Sequence, residues 1–482
     1  MNPGPAAAGP DLGHEDAMPI GEPTQSSPPS GPVPQRALLI LPTTGEFDSR
    51  AYRIASLLAD RGHEVTVLAR SRDGLPVEER RAEGYRIVRV PVSAMDGVPR
   101  PIRGLLTRLV PRKEPVGPAD GAAGPAMVDS RREAVGTEAV AGAGKVGRAA
   151  SRIRRLVAAG RRLLAIALTV RSQRQRSVAV APPSDLIHAM AYMGIPVGLA
   201  VGRAGQPVVY DARDIYVDAA NLARLPGPAR RLFAAIERRW ARRAARVVTV
   251  NEPYARVMAE RWGVTVPLVV LNCAYRRTVE TQDDRLRKVL SLGPDCFLVL
   301  YHGGLSRDRG IEQLIASLGD LPEQVHLVTL GYGSLEPWLR QRQRDPDLGG
   351  RLHVLPAVPP TELLDWVASA DLAAMPIQPT TLNHRLTTPN KVFEAMAAGV
   401  PVLASDLAGM SGIVRESDCG WLVDPTDPVA IAGRIREVLA LTVAERRAVG
   451  ERGRAAHLTT YNWEAQSARL LAEYGRLTGR PW

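Results

Sequence analysis

Lys391 and Glu394 stand three residues apart in TTPNKVFEAMAAGVPVLASD (387–406), which reads as a loop, a short helix begun by Pro389, a Gly turn and a buried strand. Residues three apart share a helix side, and an exposed Lys-Glu pair there is worth only ~0.3 kcal/mol. Placed at a helix start beyond a strand's carboxyl end, the same pair sets a cation beside phosphates and a carboxylate beside sugar hydroxyls. Those are the two chemical needs of a nucleotide-sugar. A second stretch, YHGGLSRDRGIEQL (301–314), puts Gly303 and Gly304 after a strand and Arg307 and Arg309 before a helix. Glycines let a ligand approach the backbone, free N–H groups at the helix start donate to an anion, and arginines fork onto oxyanions. Turn formation alone also explains the Gly pair. The loops LGYGSLEPW, with Gly331 and Gly333, and LPAVPPTELLDW, with Val358 and a Thr361 N-cap, offer backbone groups to a planar base.

The chain has 482 residues, 45% of them hydrophobic, enough for several cores. Cys273, Cys296 and Cys419 lie far apart, so neither a zinc site nor a disulfide framework is indicated, and a reducing cytoplasm fits. Residues 1–35 are rich in Pro, Gly, Ser and Ala with no apolar core segment, as in a disordered tail and unlike a signal peptide. The formal charge of +12 concentrates in 100–176 and 224–246. Four Phe and no aromatic interleaving argue against a single-strand nucleic-acid platform, so no nucleic-acid partner is expected. The remaining sources of such charge are an anionic membrane surface and an arginine-rich composition.

Short apolar runs alternate with helical periodicity from Arg36 onward: RALLIL, EVTVLA, YRIVRV, DLIHAM, PVVYD, RVVTV and PLVVL, then FLVLYH, VHLVTL, RLHVL, DLAAMP and VPVLAS. The pattern predicts α/β architecture with two Rossmann-like, doubly wound parallel sheets facing across a cleft. The expected domains are 36–280 and 281–460, with a terminal helix in 461–482 that packs on either. An insertion, 96–183, interrupts the first sheet. Its first half lacks periodicity. In its second half Ile153, Leu156, Val157, Leu164, Ala167 and Leu168 share one helix face, and no acid occurs between Arg148 and Arg176. A basic amphipathic segment of this kind lies in a membrane interface, or packs its apolar face on its own domain. No run is long enough to span a bilayer.

PNKVFEAMAAGVPVLASD resembles the donor-site motif of retaining GT-B glycosyltransferases of group 1, the 4-like family. RGHEVTVLA, LYHGGLSRDRGIEQLI, LGYGSLEP, ASADLAAMP and GWLVDPTDPVAIAGRI are similar to that family's segments in the same order. The resemblance implies transfer of a sugar, with retention, from a nucleoside diphosphate donor on the C-terminal domain to an acceptor on the N-terminal domain, with no metal or other cofactor. It implies donor contacts from Gly45, Gly303, Gly304, Arg307, Arg309, Gly331, Gly333, Val358, Asn390, Lys391 and Glu394, with Glu394 on the ribose. Arg309 stands at the phosphate-binding Lys of the family. Gly304 replaces its partner Arg, and Arg307 or Lys391 supplies the missing charge. Leu386 replaces the first Glu of the family's paired-Glu motif. Arg213, followed by Asp214, occupies the place of a strand-end His; with His188, another strand-end His, these are the catalytic candidates. The basic segment points to a lipid-linked or cell-envelope glycan acceptor at the cytoplasmic membrane face. A catalytically silent module that assists assembly, and a nucleotide-sugar epimerase, are the alternatives.

Overall fold

The computed structural model describes residues 34–46, 48–96, 145–277 and 284–482, with 145–156 and 220–221 as backbone only. The expected tail up to residue 33 and the aperiodic part of the insertion, 97–144, lie outside the described residues.

The first sheet contains β1 (Arg36–Ile40), β2 (Glu64–Arg70), β3 (Glu78–Arg80), β4 (Arg86–Val90), β5 (Leu186–Met190), β6 (Val208–Asp211), β7 (Arg246–Thr249) and β8 (Leu268–Val269), in the order β3-β4-β2-β1-β5-β6-β7-β8. All neighbours are parallel except β3, which pairs antiparallel with β4. Strands covered on both faces need continuous apolar runs, and Leu38, Leu39 and Ile40 of β1 are fully buried. Helix α1 (Ser49–Asp60) begins where the Asp48 side chain accepts from the Ala51 N–H, and it buries Ile54, Ala55 and Leu58 against the sheet.

The second sheet is wholly parallel: β9 (Phe297–Gly304), β10 (Val325–Tyr332), β11 (Leu352–Leu355), β12 (Leu372–Met375), β13 (Val402–Ser405) and β14 (Gly420–Val423), ordered β11-β10-β9-β12-β13-β14. Chain order reverses between β9 and β12. Connections leave those two strands in opposite directions and open a crevice at their carboxyl ends, the place where such sheets take ligands. β9 itself ends in the Gly pair, and the segment after β12 leads to the helix Asn390–Ala398.

Around the first sheet lie α2 (Lys145–Val180), α3 (Ala191–Val201), α4 (Gly227–Ala241) and α5 (Glu252–Trp262); α6 (Ile311–Ser317), α7 (Asn390–Ala398) and α8 (Val443–Thr459) serve the second. The terminal helix α9 (Trp463–Thr478) returns to the first half, where Trp463, Leu470, Leu471 and Tyr474 bury in the cluster of Leu39, Ile54 and Val67.

α2 corrects the expected register of the inserted helix. Its buried side is the stripe Ala159, Val170, Gln173 and Ser177, joined by Leu163 and Ile166 against the first core. Polar anchors fix that stripe: Gln173 donates to the Leu41 carbonyl at 2.7 Å, and Ser172 to Asp96 at 2.7 Å. The face read as apolar from sequence is the opposite one, where Val157 is 52% exposed and Ala167 is exposed. Ile153 and Leu156 belong to the part described as backbone only. Among the described residues no helix is long and apolar enough to cross a membrane.

Candidate functional site

β9 ends in His302, Gly303 and Gly304, and β10 runs beside it with Gly331 opposite Gly303. A Cβ at Gly331 would stand 2.0 Å from the Gly303 carbonyl oxygen, and one at Gly333 2.1 Å from that of Leu305, so two bare backbones close the crevice floor. Gly303 adopts φ of 97°, and a Cβ there would meet the Lys391 Nζ at 2.9 Å. Only glycine lets that ammonium lie against the turn.

Lys391 and Glu394 project from α7 into this crevice. The Lys391 Nζ sits 5.1 Å from the centre of the Tyr301 ring. Burial and the neighbouring Arg309 charge push its ammonium down to about 8, against the opposing pull of Glu394. The Glu394 Oε2 pairs with the His302 Nε2 at 2.9 Å. Burial would raise the Glu394 carboxyl, but the His302 bond and the charges of Lys391 and Arg53 hold it below its ordinary value. Among the described residues Lys391, Arg307 and Arg309 form no ion pair with an acid. Arg307 is exposed and Arg309 half-buried. Gly304 is exposed, its carbonyl accepting from the Tyr301 hydroxyl at 2.9 Å. Val358 packs on the second core, with no polar contact to the cluster.

His302 and Arg53 escaped the sequence reading. A polar residue closing an otherwise apolar strand was the available signal for His302. Arg53 had none, because it comes from α1 of the other half. Its Nη1 donates to Asn272 at 2.6 Å, and Asn272 donates to the Asn390 Oδ1 at 2.9 Å, so Asn390 serves as a bridge between the halves.

The segment between β12 and α7 is gripped by the first half. Asn383 donates to the Asp214 Oδ1 at 2.8 Å and accepts from the Ile215 N–H at 3.1 Å, while the Tyr254 hydroxyl donates to its carbonyl. Asn251 donates to the Leu386 carbonyl at 2.7 Å. Leu382 and Leu386 pack against the first core. The apolar residue at the position of the first motif Glu therefore has a packing partner in the opposite half. Asp214 stands at this junction, its carboxyl raised by burial in spite of Asn383, Arg213 and Arg309. Arg213 donates to the Asp48 Oδ1 at 2.8 Å, at the start of α1.

His188 is not presented to the crevice. It is fully buried in β5, its Nε2 paired with the Asp211 Oδ2 at 3.0 Å and its Nδ1 with the Tyr474 hydroxyl at 2.7 Å. Both ring nitrogens are occupied, which leaves none for a substrate. Gly45, at φ of 83°, lies in the loop after β1 against Ala69 and Ile87 of the first sheet. A cavity of about 400 Å³ between α4, α5 and residues 215–218 contains none of the sequence-predicted residues.

Two family models match the chain: glycosyl transferase 4-like domain over residues 116–274, and glycosyl transferases group 1 over 296–440. Similar curated proteins include the D-inositol 3-phosphate glycosyltransferase of Xylanimonas cellulosilytica, 32% identical over 201 residues, covering 40% of this chain and 46% of that protein. Its namesake in Acidothermus cellulolyticus is 28% identical over 313 residues, covering 60% of this chain and 66% of that protein. Among solved structures, sucrose-phosphate synthase of Thermosynechococcus elongatus superposes with a TM-score of 0.65 at 19% identity, covering 92% of this chain and 99% of that one. WaaG, a glycosyltransferase involved in lipopolysaccharide biosynthesis, gives 0.58 at 17% identity, covering 92% and 100%. The Anabaena protein HepE, solved with UDP and glucose, gives 0.59 at 16%, covering 92% and 100%. These likenesses establish the two-sheet GT-B fold. The chain belongs to the group 1, 4-like glycosyl transferases.

Proposed function

We propose that this member of the group 1 glycosyl transferases moves a sugar, with retained anomeric configuration, from a nucleoside diphosphate sugar in the second-sheet crevice to an acceptor held by the first half. The observation that carries this reading is a pair of cations without ion-pair partners among the described residues, Lys391 against the glycine-lined turn and Arg309 near it, beside the Glu394–His302 pair, with Arg307 exposed on the same loop. A diphosphate answers the cations, and ribose hydroxyls donate to Glu394. When the bond from the anomeric carbon to the diphosphate breaks, negative charge develops on the leaving group, and Lys391 and Arg309 are already in place to meet it. Arg213 and Asp214 lie across the junction, where the sugar and the attacking hydroxyl would be positioned. A panel of nucleoside diphosphates in a thermal-shift assay tests the donor site: one base should raise the midpoint, by a stabilisation that grows with the logarithm of one plus ligand over dissociation constant. No shift with any of them defeats the reading. Donor-dependent transfer, or slow donor hydrolysis, separates an enzyme from a silent module.

For the acceptor, the outward side of α2 supports a lipid-linked or cell-envelope glycan reached from the cytoplasmic membrane face. That side combines Val157, Leu164 and Leu168 with Arg171, and its other stripe is already buried. A second reading rests on the relatives named D-inositol 3-phosphate glycosyltransferase, which favour a soluble cyclitol phosphate. Label from a radioactive donor should appear in an organic extract under the first reading and in an anionic water-soluble product under the second.

A further inference from the structure

Among the described residues, the exposed large apolar side chains include one leucine and one isoleucine, Leu232 at 57% and Ile236 at 38%, and both belong to α4. They are four residues apart and so share one helix side. Phe233, Glu237 and Ala241 bury the opposite side. At 100° per residue, Ala235 and Arg239 fall on the outward arc with Leu232 and Ile236, Arg231 and Arg238 flank it, and Arg243 follows two residues past the helix end. All five of these neighbours are exposed. None of the four arginines forms an ion pair among the described residues. The helix carries a single acid, Glu237, which faces inward and accepts from the Tyr210 hydroxyl at 2.9 Å. The outward side is therefore a two-residue apolar ridge flanked, on its own helix, by arginines and no acid.

We propose that α4 is a second membrane-contact helix, laying Leu232 and Ile236 into the interface of an anionic bilayer while its arginines reach the phosphates. An acidic protein or a nucleic acid would satisfy the arginines but leaves the ridge unexplained. A bilayer uses both, since a helix lying flat sinks its apolar side and lets long cationic side chains extend to the headgroups. α2 touches α4, so the two cationic helices adjoin on the first half. The proposal deepens the membrane reading given for α2 but stands on a different helix, and it is independent of the donor site.

The test uses full-length protein, vesicles of phosphatidylcholine with or without phosphatidylglycerol, and roughly 0.15 M salt, where long-range attraction is screened. Leu232→Cys carrying a polarity-sensitive fluorophore should shift to the blue with anionic vesicles and stay unchanged with neutral ones. Protein without the substitution is the labelling control, since Cys273 and Cys419 are buried and Cys296 is half-buried. The double variant Leu232→Glu, Ile236→Glu should lose vesicle binding at least tenfold while its nucleoside diphosphate affinity stays at the wild-type value, which shows that the fold and donor site are intact. Several results overturn the proposal: no sedimentation of the wild type with anionic vesicles, sedimentation without a blue shift at position 232, or an equal blue shift on adding DNA. So does loss of binding in Leu164→Glu, Leu168→Glu with none in the α4 variant, which assigns attachment to α2 alone. Loss of nucleotide response in the wild type would instead strike the donor site and leave this proposal standing.

Discussion

At the carboxyl end of β6 the first half matches its charges to one another, whereas at the end of β9 the second half leaves its cations unmatched. Asp211 takes Arg50 at 2.7 Å and His188 at 3.0 Å, with Arg50 and Asp211 at most 1% exposed, and Arg213 takes Asp48. Arg309 and Lys391 crowd one another instead, and the Lys391 ammonium is pushed down to about 8 by burial and that neighbour. Matched buried charges hold a scaffold: the pair adds little net stability, yet removing one partner strands the other. Neighbouring cations that lack ion-pair partners among the described residues repel one another and weaken the fold, and under the proposed function a bound diphosphate would relieve them. Apart from the added β3 and β8 the two sheets share one strand order, and under the proposed function their ends divide the work between rigidity and binding.

The largest expected effect lies on the matched side. Asp211→Ala leaves Arg50 without its partner and should cost about 3–5 kcal/mol in chemical denaturation, with nucleotide affinity of the folded protein unchanged. Burial would raise the Asp211 carboxyl, but Arg50 and His188 hold it well below the usual range. Its stabilisation is therefore complete above the unfolded value near ~3.9 and is lost as pH falls through lower values. A variant as acid-resistant and as stable as wild type would dissolve the contrast.

Glycines sharpen it next. Gly331→Ala drives a Cβ to 2.0 Å from a backbone oxygen, which has nowhere to go, and should cost at least ~3 kcal/mol. Gly303→Ala meets only the tip of Lys391 at 2.9 Å, and should cost ~1–2 kcal/mol of left-handed strain while weakening diphosphate binding. Thermal melts with and without nucleotide distinguish the two, and equal destabilisation would contradict the close approach of β9 and β10.

Lys391 gives the contrast a pH signature. Its folded value of about 8 lies below the free value of 10.5, so the unfolded chain binds more protons between them and the unligated protein gains stability as pH rises through that window. Diphosphate affinity should fall over the same window, as the cation discharges, by up to about tenfold per ~1.4 kcal/mol of lost attraction. Lys391→Met should flatten both trends and raise the unligated melting point at neutral pH. Arg309→Ala should have the smallest effect, a severalfold loss of diphosphate affinity in titration calorimetry that is greater at low salt. Unchanged affinity would remove Arg309 from the site.

The alternation of strands and helices and the second-half loops were legible because a two-sided parallel sheet and a glycine turn each leave a local pattern. The α2 register was not: that helix carries two apolar stripes, and periodicity finds both without saying which meets the core. Strand β3, with its Glu-Glu-Arg sequence, carries too little apolar pattern to announce itself, and β14, Gly-Trp-Leu-Val, is apolar but only four residues long. His188, expected at a strand end but found in the middle of β5, illustrates the same limit for function, since a strand histidine reads alike whether it meets a substrate or, as here, Asp211 and Tyr474, 286 residues from it in the latter case. Leu386 looked like a missing carboxylate; its contact with the first core depends on a fold that brings distant segments together. His302 needed its partner on α7 to acquire meaning.

The central claim is that Glu394, held by His302, accepts from the ribose of the donor while the Lys391 end of the same helix meets the diphosphate. Hydrogen bonds to a charged acceptor contribute ~1.5–3 kcal/mol, so Glu394→Gln should bind a nucleoside diphosphate roughly tenfold to a hundredfold more weakly with its fold intact. The most direct measurement compares a nucleoside diphosphate with its 2′,3′-dideoxy analogue on wild type and Glu394→Gln by titration calorimetry. Wild type should prefer the intact ribose strongly and the variant should not; the same preference in both proteins would contradict the account.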